Sequence, residues 1–277
     1  MDISDHIVFK QRENPELFEY LKAGKIAYTD TGGLISFDLL QSDPRWEAIK
    51  RLANAQKLFV LSESVFSEEE RRQAQWLKMR SCWRVGYPQP EMDFKFETVT
   101  YEYDNHCSKC GCGLKQIAPF RMKKQPRWGL RHFMMLNWVG DELFVDREAK
   151  KILEESAVSG ISFDEVRNKG GSAILPDIYQ LVIRDFLKEG LVPEQSPLRE
   201  TLVCDMCERI GYHPHGVGKY TYRKEIFEGV SDIVKTSEVF GWGHSFNRHI
   251  LIRQNVYRLL LENGLARGME FLPVELV

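Results

Sequence analysis

The chain has 277 residues, 43% of them hydrophobic and 12% aromatic, enough for a sizeable core in one large or two ordinary domains. Lysine and arginine total 38 against 40 aspartate and glutamate, a net charge of −2, which excludes a global electrostatic pull toward nucleic acid or an anionic membrane. No apolar run has the length of a membrane span, and the acidic start Met1-Asp-Ile-Ser-Asp5 lacks the basic and apolar regions of a signal peptide, so a cytosolic protein with reduced cysteines is expected.

Asn14-Pro15 reads as a helix start, with Leu17, Phe18 and Leu21 on the buried face and a stop at Gly24. Lys25–Asp30 and Leu34–Leu40 flank Gly32-Gly33 as a hairpin, and Ser42-Asp43-Pro44 opens a second helix carrying Trp46, Ile49, Leu52 and Ala53. Leu58-Phe-Val-Leu61 is a buried strand. Ser67-Glu-Glu-Glu70 is a capping box, and its helix is expected to run to Arg80 with Ala74, Leu77 and Trp76 inward. Tyr87-Pro-Gln-Pro90 breaks the pattern and reads as a linker. Phe94, Phe96, Val99, Tyr101 and Tyr103 then form a strand-like run leading into the first cysteines.

Cys107-Ser-Lys-Cys110-Gly and Cys204-Asp-Met-Cys207 are two C-x-x-C pairs. Each turn points two sulfurs at one place, and two turns together supply the tetrahedral set that zinc accepts. Gly111 suits the positive-φ turn after the second sulfur. The long gap means that the metal would clamp two remote segments. Cys82 and Cys112 are left over, and His106, His213 and His215 stand as alternative ligands or as ordinary turn residues.

After each pair the same pattern recurs. Leu143-Phe-Val145, a helix with Ile152 and Leu153, and Gly160-Ile-Ser-Phe163-Asp-Glu-Val166 match Leu251-Ile252, a helix with Leu259–Leu261, and Gly268-Met-Glu-Phe271-Leu-Pro-Val274. Phe163 and Phe271 are expected at equivalent buried positions. Between the copies, Pro176 is expected to start a helix bearing Ile178, Leu181, Val182 and Phe186, ending at Gly190.

The C-x-x-C-G turn, the second C-x-x-C about a hundred residues on, and the repeated tails resemble bacterial double-CXXCG-motif proteins. The residues that carry this are Cys107, Cys110, Gly111, Gly160, Phe163 and Val166, then Cys204, Cys207, Gly268, Phe271, Pro273 and Val274, across roughly residues 99–277. Glu208 stands where the second motif has glycine, and Asp164-Glu165 where a proline-containing end is expected. Members of that family are similar in layout to immunity proteins of bacterial toxin systems. The resemblance therefore implies a binding protein with a toxin-like protein partner.

Two basic, aromatic-containing stretches follow the cysteine pairs: Lys123, Lys124, Arg127 and Trp128 in the first, Arg223 and Lys224 in the second. Such loops track phosphates and stack bases, or are simply solvated. Trp242, in Gly241-Trp-Gly-His244, anchors a partner or caps a core. No catalytic motif is recognisable, and a four-sulfur zinc site has no open position for water.

The expectation is an α+β protein. Residues 1–88 form a small mixed domain, and residues 91–277 form a two-unit strand–helix–strand domain clamped by structural zinc on Cys107, Cys110, Cys204 and Cys207. A non-enzymatic, toxin-neutralising protein binder is the leading function, and a nucleic-acid-binding zinc ribbon using the two loops is the rival.

Overall fold

The computed structural model describes residues 1–242 and 245–277, so Gly243 and His244 of the expected aromatic loop lie outside the described residues. Helix makes up 21% and strand 36%, which places the chain in the mixed helix-and-strand class. It divides into two compact units: Met1–Glu70 with His215–Lys219, and Arg71–Pro214 with Tyr220–Val277. The proline stretch 87–90 lies inside the second unit.

The first unit is a four-stranded antiparallel sheet with two helices on one face. Its elements are β1 (Asp2–Lys10), α1 (Pro15–Ala23), β2 (Thr29–Thr31), β3 (Leu34–Leu40), α2 (Trp46–Ala55) and β4 (Val60–Val65), in sheet order β2-β3-β1-β4. Alternate residues Ile7, Phe9, Ile35 and Phe37 point one way and are buried against Leu17, Phe18, Leu21, Trp46 and Ile49. The Asn14 side chain donates to the Lys10 carbonyl at 3.2 Å instead of capping α1. The capping box forms as the sequence suggests: Glu70 N–H donates to Ser67 Oγ at 3.2 Å, and Ser67 N–H donates to Glu70 Oε2 at 2.9 Å.

The helix that this box opens, α3 (Glu68–Gln73), is short. It stops well before Arg80, and Trp76–Ser81 is strand β5. The run expected as strand from Phe94 to Tyr103 is instead helix α4 (Phe96–Thr100) followed by the brief β6 (Tyr101–Glu102), which pairs with β7 (Lys115–Gln116). Asp93 and Phe94, at φ 52° and 54°, break any extended run ahead of it. The expected helix from Pro176 is strand β12 (Ile174–Ile183), preceded by β8 (Arg121–Met122), β9 (Phe133–Met134), β10 (Leu143–Val145), α5 (Arg147–Glu155) and β11 (Ile161–Asn168). The rest is β13 (Leu198–Val203), β14 (Ile210–Pro214), β15 (Thr221–Tyr222), β16 (Ile233–Lys235), β17 (Val239–Trp242), β18 (Ser245–Asn247), β19 (Ile250–Arg253), α6 (Gln254–Glu262), β20 (Met269–Pro273) and β21 (Glu275–Leu276).

The two segments expected as helix form strands for one shared reason. β5 and β12 are central strands covered on both faces, so they lack the alternation that marks a half-exposed strand. Leu77 and Met79 enter one core cluster and Trp76 another. Leu181 and Ile183 enter the first, and Ile178 a third.

Within the second unit one arrangement occurs twice. β10-α5-β11 and β19-α6-β20 are both strand–helix–strand, and in each case a third strand runs antiparallel between the two strands: β12 in the first, β5 in the second. Leu181 faces Leu143 and Phe163, as Met79 faces Ile250 and Phe271. The central strands are exchanged. β5 precedes the first cysteine hairpin yet completes the second sheet, and β12 precedes the second hairpin yet completes the first. After each central strand the chain returns to its own half by the same two bonds. Met135 N–H donates to Trp83 O and Val85 N–H to Met135 O, both at 3.0 Å; Lys235 N–H donates to Asp185 O and Leu187 N–H to Lys235 O, both at 2.9 Å. Ala149 and Leu153 of α5 and Val256 and Leu260 of α6 fill one shared core. Phe271 is buried in that core, whereas Phe163 is only half-buried at its edge, less than expected, with the Lys150 ammonium 5.5 Å from its ring.

Candidate metal centre

Each C-x-x-C pair sits at the tip of a hairpin, β6–β7 for Cys107 and Cys110, and β13–β14 for Cys204 and Cys207. The turns close identically. Gly111 N–H donates to Cys107 O, and Glu208 N–H to Cys204 O, both at 2.8 Å. Gly111 has φ 73° and Glu208 has φ 60°, so the glutamate occupies the left-handed position that glycine fills in the first turn.

The two tips meet. Cys107 Sγ lies 3.7 Å from Cys204 Sγ, Cys110 Sγ lies 3.7 Å from Cys207 Sγ, and the four sulfurs are all within 4.8 Å of one another. Four sulfurs at tetrahedral metal bonds of about 2.3 Å stand about 3.8 Å apart, and a disulfide would bring a pair to about 2.05 Å. The donor set and its spacing therefore fit one metal ion. Cys107 and Cys110 are buried and Cys204 and Cys207 half-buried. Arg209 ties the tips together by donating to the carbonyls of Cys112 and Asn105 at 3.0 Å each, and Lys109 pairs with Asp205 at 2.5 Å. Gly113 leaves room for the first hairpin to close and for Arg209 to reach it: a Cβ there would lie 1.9 Å from Asn105 O and 2.8 Å from Arg209 Nη1.

The thiols are not equivalent. The backbone N–H of Cys110, with that of Lys109, bonds the Cys107 sulfur and holds its thiol down to about 6. Burial pushes Cys110 up to about 11. At Cys207 the Arg209 N–H pulls down, but burial and the neighbouring sulfurs outweigh it and bring the thiol to about 11. A metal ion would supply the positive charge that lets all four ionise, so binding would release protons.

The other candidate ligands fall outside this set. Cys112 is half-buried beside it. His213 packs against Trp242 with ring centres 4.6 Å apart and planes tilted by 48°, and its Nδ1 is 3.6 Å from Glu200. His215 belongs to the first unit. In a second group, His132, Asp146 and Glu148, Asp146 is the cap of α5: it accepts the Ala149 N–H and binds His132 Nδ1, each at 2.8 Å, while Glu148 is exposed.

Lys123, Lys124 and Arg127 are exposed after β8, and Arg223 and Lys224 are exposed after the equivalent β15. Trp128 is half-buried, packs on Trp83 at 5.5 Å and donates its indole N–H to Asp177 O. Trp242 is 59% exposed. A cleft of about 1120 Å³ runs beside the metal centre; of these seven residues, Arg223 alone borders it.

Charged groups that the sequence analysis did not single out line that cleft. Lys235 is buried and pairs with Glu142 at 2.5 Å and with Asp141 at 3.7 Å. Burial pushes Glu142 up, and Asp141 adds to it; Lys235 is opposed by burial, but the two carboxylates hold it above its ordinary value. Gln116 and Gln180 exchange amide hydrogen bonds of 2.7 and 2.8 Å, and Gln180 also donates to Glu142. These partners come from segments far apart in the chain, so no local spacing announces them. The one available hint was a lysine inside the apolar strand Ile233–Lys235.

A scan against models of known protein families finds no match, and no curated protein matches the chain. No helix among the described residues is long and apolar enough to cross a membrane.

Proposed function

We propose that the chain is a non-enzymatic, cytosolic zinc protein that binds another protein, and that this partner is a toxin which it neutralises. The supporting observation is the meeting of four cysteine sulfurs from two hairpins at the 3.7 Å spacing of a tetrahedral shell. Soft thiolate donors in that geometry select zinc or iron, and zinc is the common structural choice. A shell closed by four sulfurs leaves no position for water or substrate, so the ion clamps the two halves and performs no chemistry. Clamped at the tips and interlocked by exchanged strands, the halves form a rigid platform. Exposed aromatics suit protein recognition on such a platform: Tyr87 and Phe94 each pack on Trp138 at 4.5 Å, and Trp242 stands apart. The toxin-neutralising role rests on the resemblance to double-CXXCG-motif proteins.

The test sets a pull-down beside nucleic-acid titrations at two salt concentrations. We expect a specific protein partner that is retained when Lys123, Lys124 and Arg127 are changed to Ala, with weak, salt-sensitive binding of DNA and RNA. Tight nucleic-acid binding at physiological salt, lost in that triple variant, would overturn the reading in favour of the nucleic-acid binder.

A further inference from the structure

Two turns of the second unit hold bulky aromatic residues in a strained backbone. Asp93 and Phe94, in the turn Met92–Phe94, have φ 52° and 54°, and Trp138 has φ 69°. A bulky side chain in this left-handed region costs stability and persists only where its surroundings impose it. Two contacts impose it here. Asn137 donates its backbone N–H and its side-chain amide to Gly86 O at 3.0 and 2.8 Å, which fixes the Trp138 turn beside Tyr87. Phe96, buried in one core cluster with Phe120 and Phe144, roots the other turn and stacks on Trp138 at 6.2 Å.

The strain does not bury these groups. Tyr87 is 37%, Trp138 45% and Phe94 50% exposed, and Met92 in the same turn as Phe94 is 71% exposed. The rings are contiguous: Tyr87 and Phe94 lie on Trp138 with planes tilted by 54° and 41°. Strain that keeps large apolar groups in water runs against folding stability, and a contiguous patch of this kind marks a surface covered in a complex. Rings already held in place lose little freedom on binding, and Trp, Tyr, Phe and Met are enriched at the centres of protein interfaces.

The charges of the same stretch set the sign of what covers it. Glu91, Asp93 and Glu97 stand there against Lys95 alone, and none of the three acids has an ion pair among the described residues. Glu91 accepts from the Gln89 amide and Glu97 from the Tyr103 hydroxyl, both at 3.3 Å. Cationic side chains complement these acids and also suit the exposed ring faces.

We infer that this patch docks an apolar, basic segment of the protein partner, with Trp138 at the centre and Tyr87, Met92 and Phe94 around it. This rests on the protein-binding reading and assigns it a surface and a charge.

The test uses the full chain, metal-loaded and nitrogen-15-labelled, with pools of short peptides: leucine with lysine and arginine, leucine with glutamate, and serine with lysine and arginine. The Trp138 indole N–H resonance, assigned by its loss in Trp138→Phe, should move on adding the apolar basic pool. That pool should bind about tenfold tighter than either of the others. Phe94→Ala with Trp138→Ala should weaken it about tenfold or more, the usual loss at the centre of an interface, and Trp242→Ala should leave it unchanged. Glu91→Gln with Asp93→Asn should weaken it several-fold and flatten its salt dependence, since asparagine tolerates the backbone at position 93. Thermal melts control for folding, and the indole shift in the unsubstituted chain reads the site without any variant. Equal binding of all pools, binding of none, or a preference that survives the loss of both rings would overturn the proposal. So would a dimer in sedimentation that the same double change dissolves, because a second copy would then cover the patch. A protein partner captured equally by wild type and the double variant, with no preference among the pools, would remove the patch and leave protein binding standing.

Discussion

Met79 and Leu181 hold the same position in two different sheets. Met79 sits between Ile250 and Phe271, and Leu181 between Leu143 and Phe163. Each belongs by chain order to the half whose sheet it does not complete. The two halves are thus interlocked by their central strands as well as joined at the cysteine tips.

That interlock predicts where damage appears. Met79→Ala should cost about 2–5 kcal/mol, the usual range for emptying a packed core site. Its local signature should be faster amide hydrogen exchange at Ile250–Ile252 and Met269–Phe271, at the far end of the chain. Leu181→Ala should do the same at Leu143–Val145 and Ile161–Phe163. Faster exchange confined to the sequence neighbours of each substitution would mean that the central strands are not exchanged.

The C-x-x-C turns were legible because their geometry is local. Cys107 and Cys204 carry the spacing, and Gly111 the turn, within five or six residues. The flanking strand–helix–strand patterns were legible for the same reason: Leu153 and Leu260 recur at helical spacing beside short apolar strands. The central strands were not. Trp76-Leu77 and Leu181-Val182 put apolar residues on adjacent positions because both faces are covered, and that pattern mimics one face of a helix. The Glu142–Lys235 pair depends on partners brought together only by the fold.

The turn at Glu208 gives a small, signed effect. A residue with a side chain at φ 60° pays a left-handed penalty that glycine avoids. Glu208→Gly should therefore stabilise the second unit by up to about 1 kcal/mol, and Gly111→Ala should destabilise it by a similar amount. Denaturant midpoints of the two metal-loaded variants measure both. A loss of stability in Glu208→Gly would show that its side chain contributes more than its backbone costs.

His249 makes stability depend on pH. It is buried, stacked on Phe240 at 3.6 Å, and burial, reinforced by Lys78 and Arg80, holds its ring well below the ordinary 6.5. The unfolded chain takes up the proton near 6.5 and the folded chain does not. The stabilisation is therefore fully present above 6.5 and is lost as pH falls, at up to about 1.4 kcal/mol per pH unit. His249→Phe keeps the stack but leaves the Tyr222 hydroxyl, 3.3 Å from His249 Nδ1, without that partner. The variant should be less stable by about 1–3 kcal/mol at pH 7. Its deficit should shrink between pH 6.5 and 5, because only the wild type loses stability there through His249, while the cysteines contribute equally to both proteins. Parallel pH curves from urea unfolding would show that His249 titrates in the folded state.

The most direct test of the account is X-ray absorption at the zinc edge on the purified chain, with the metal content of the same sample. One zinc per chain, surrounded by four sulfurs at about 2.3 Å, is the predicted result. A nitrogen or oxygen in the inner shell, iron in place of zinc, or metal-free protein with a disulfide inside either C-x-x-C pair would contradict it.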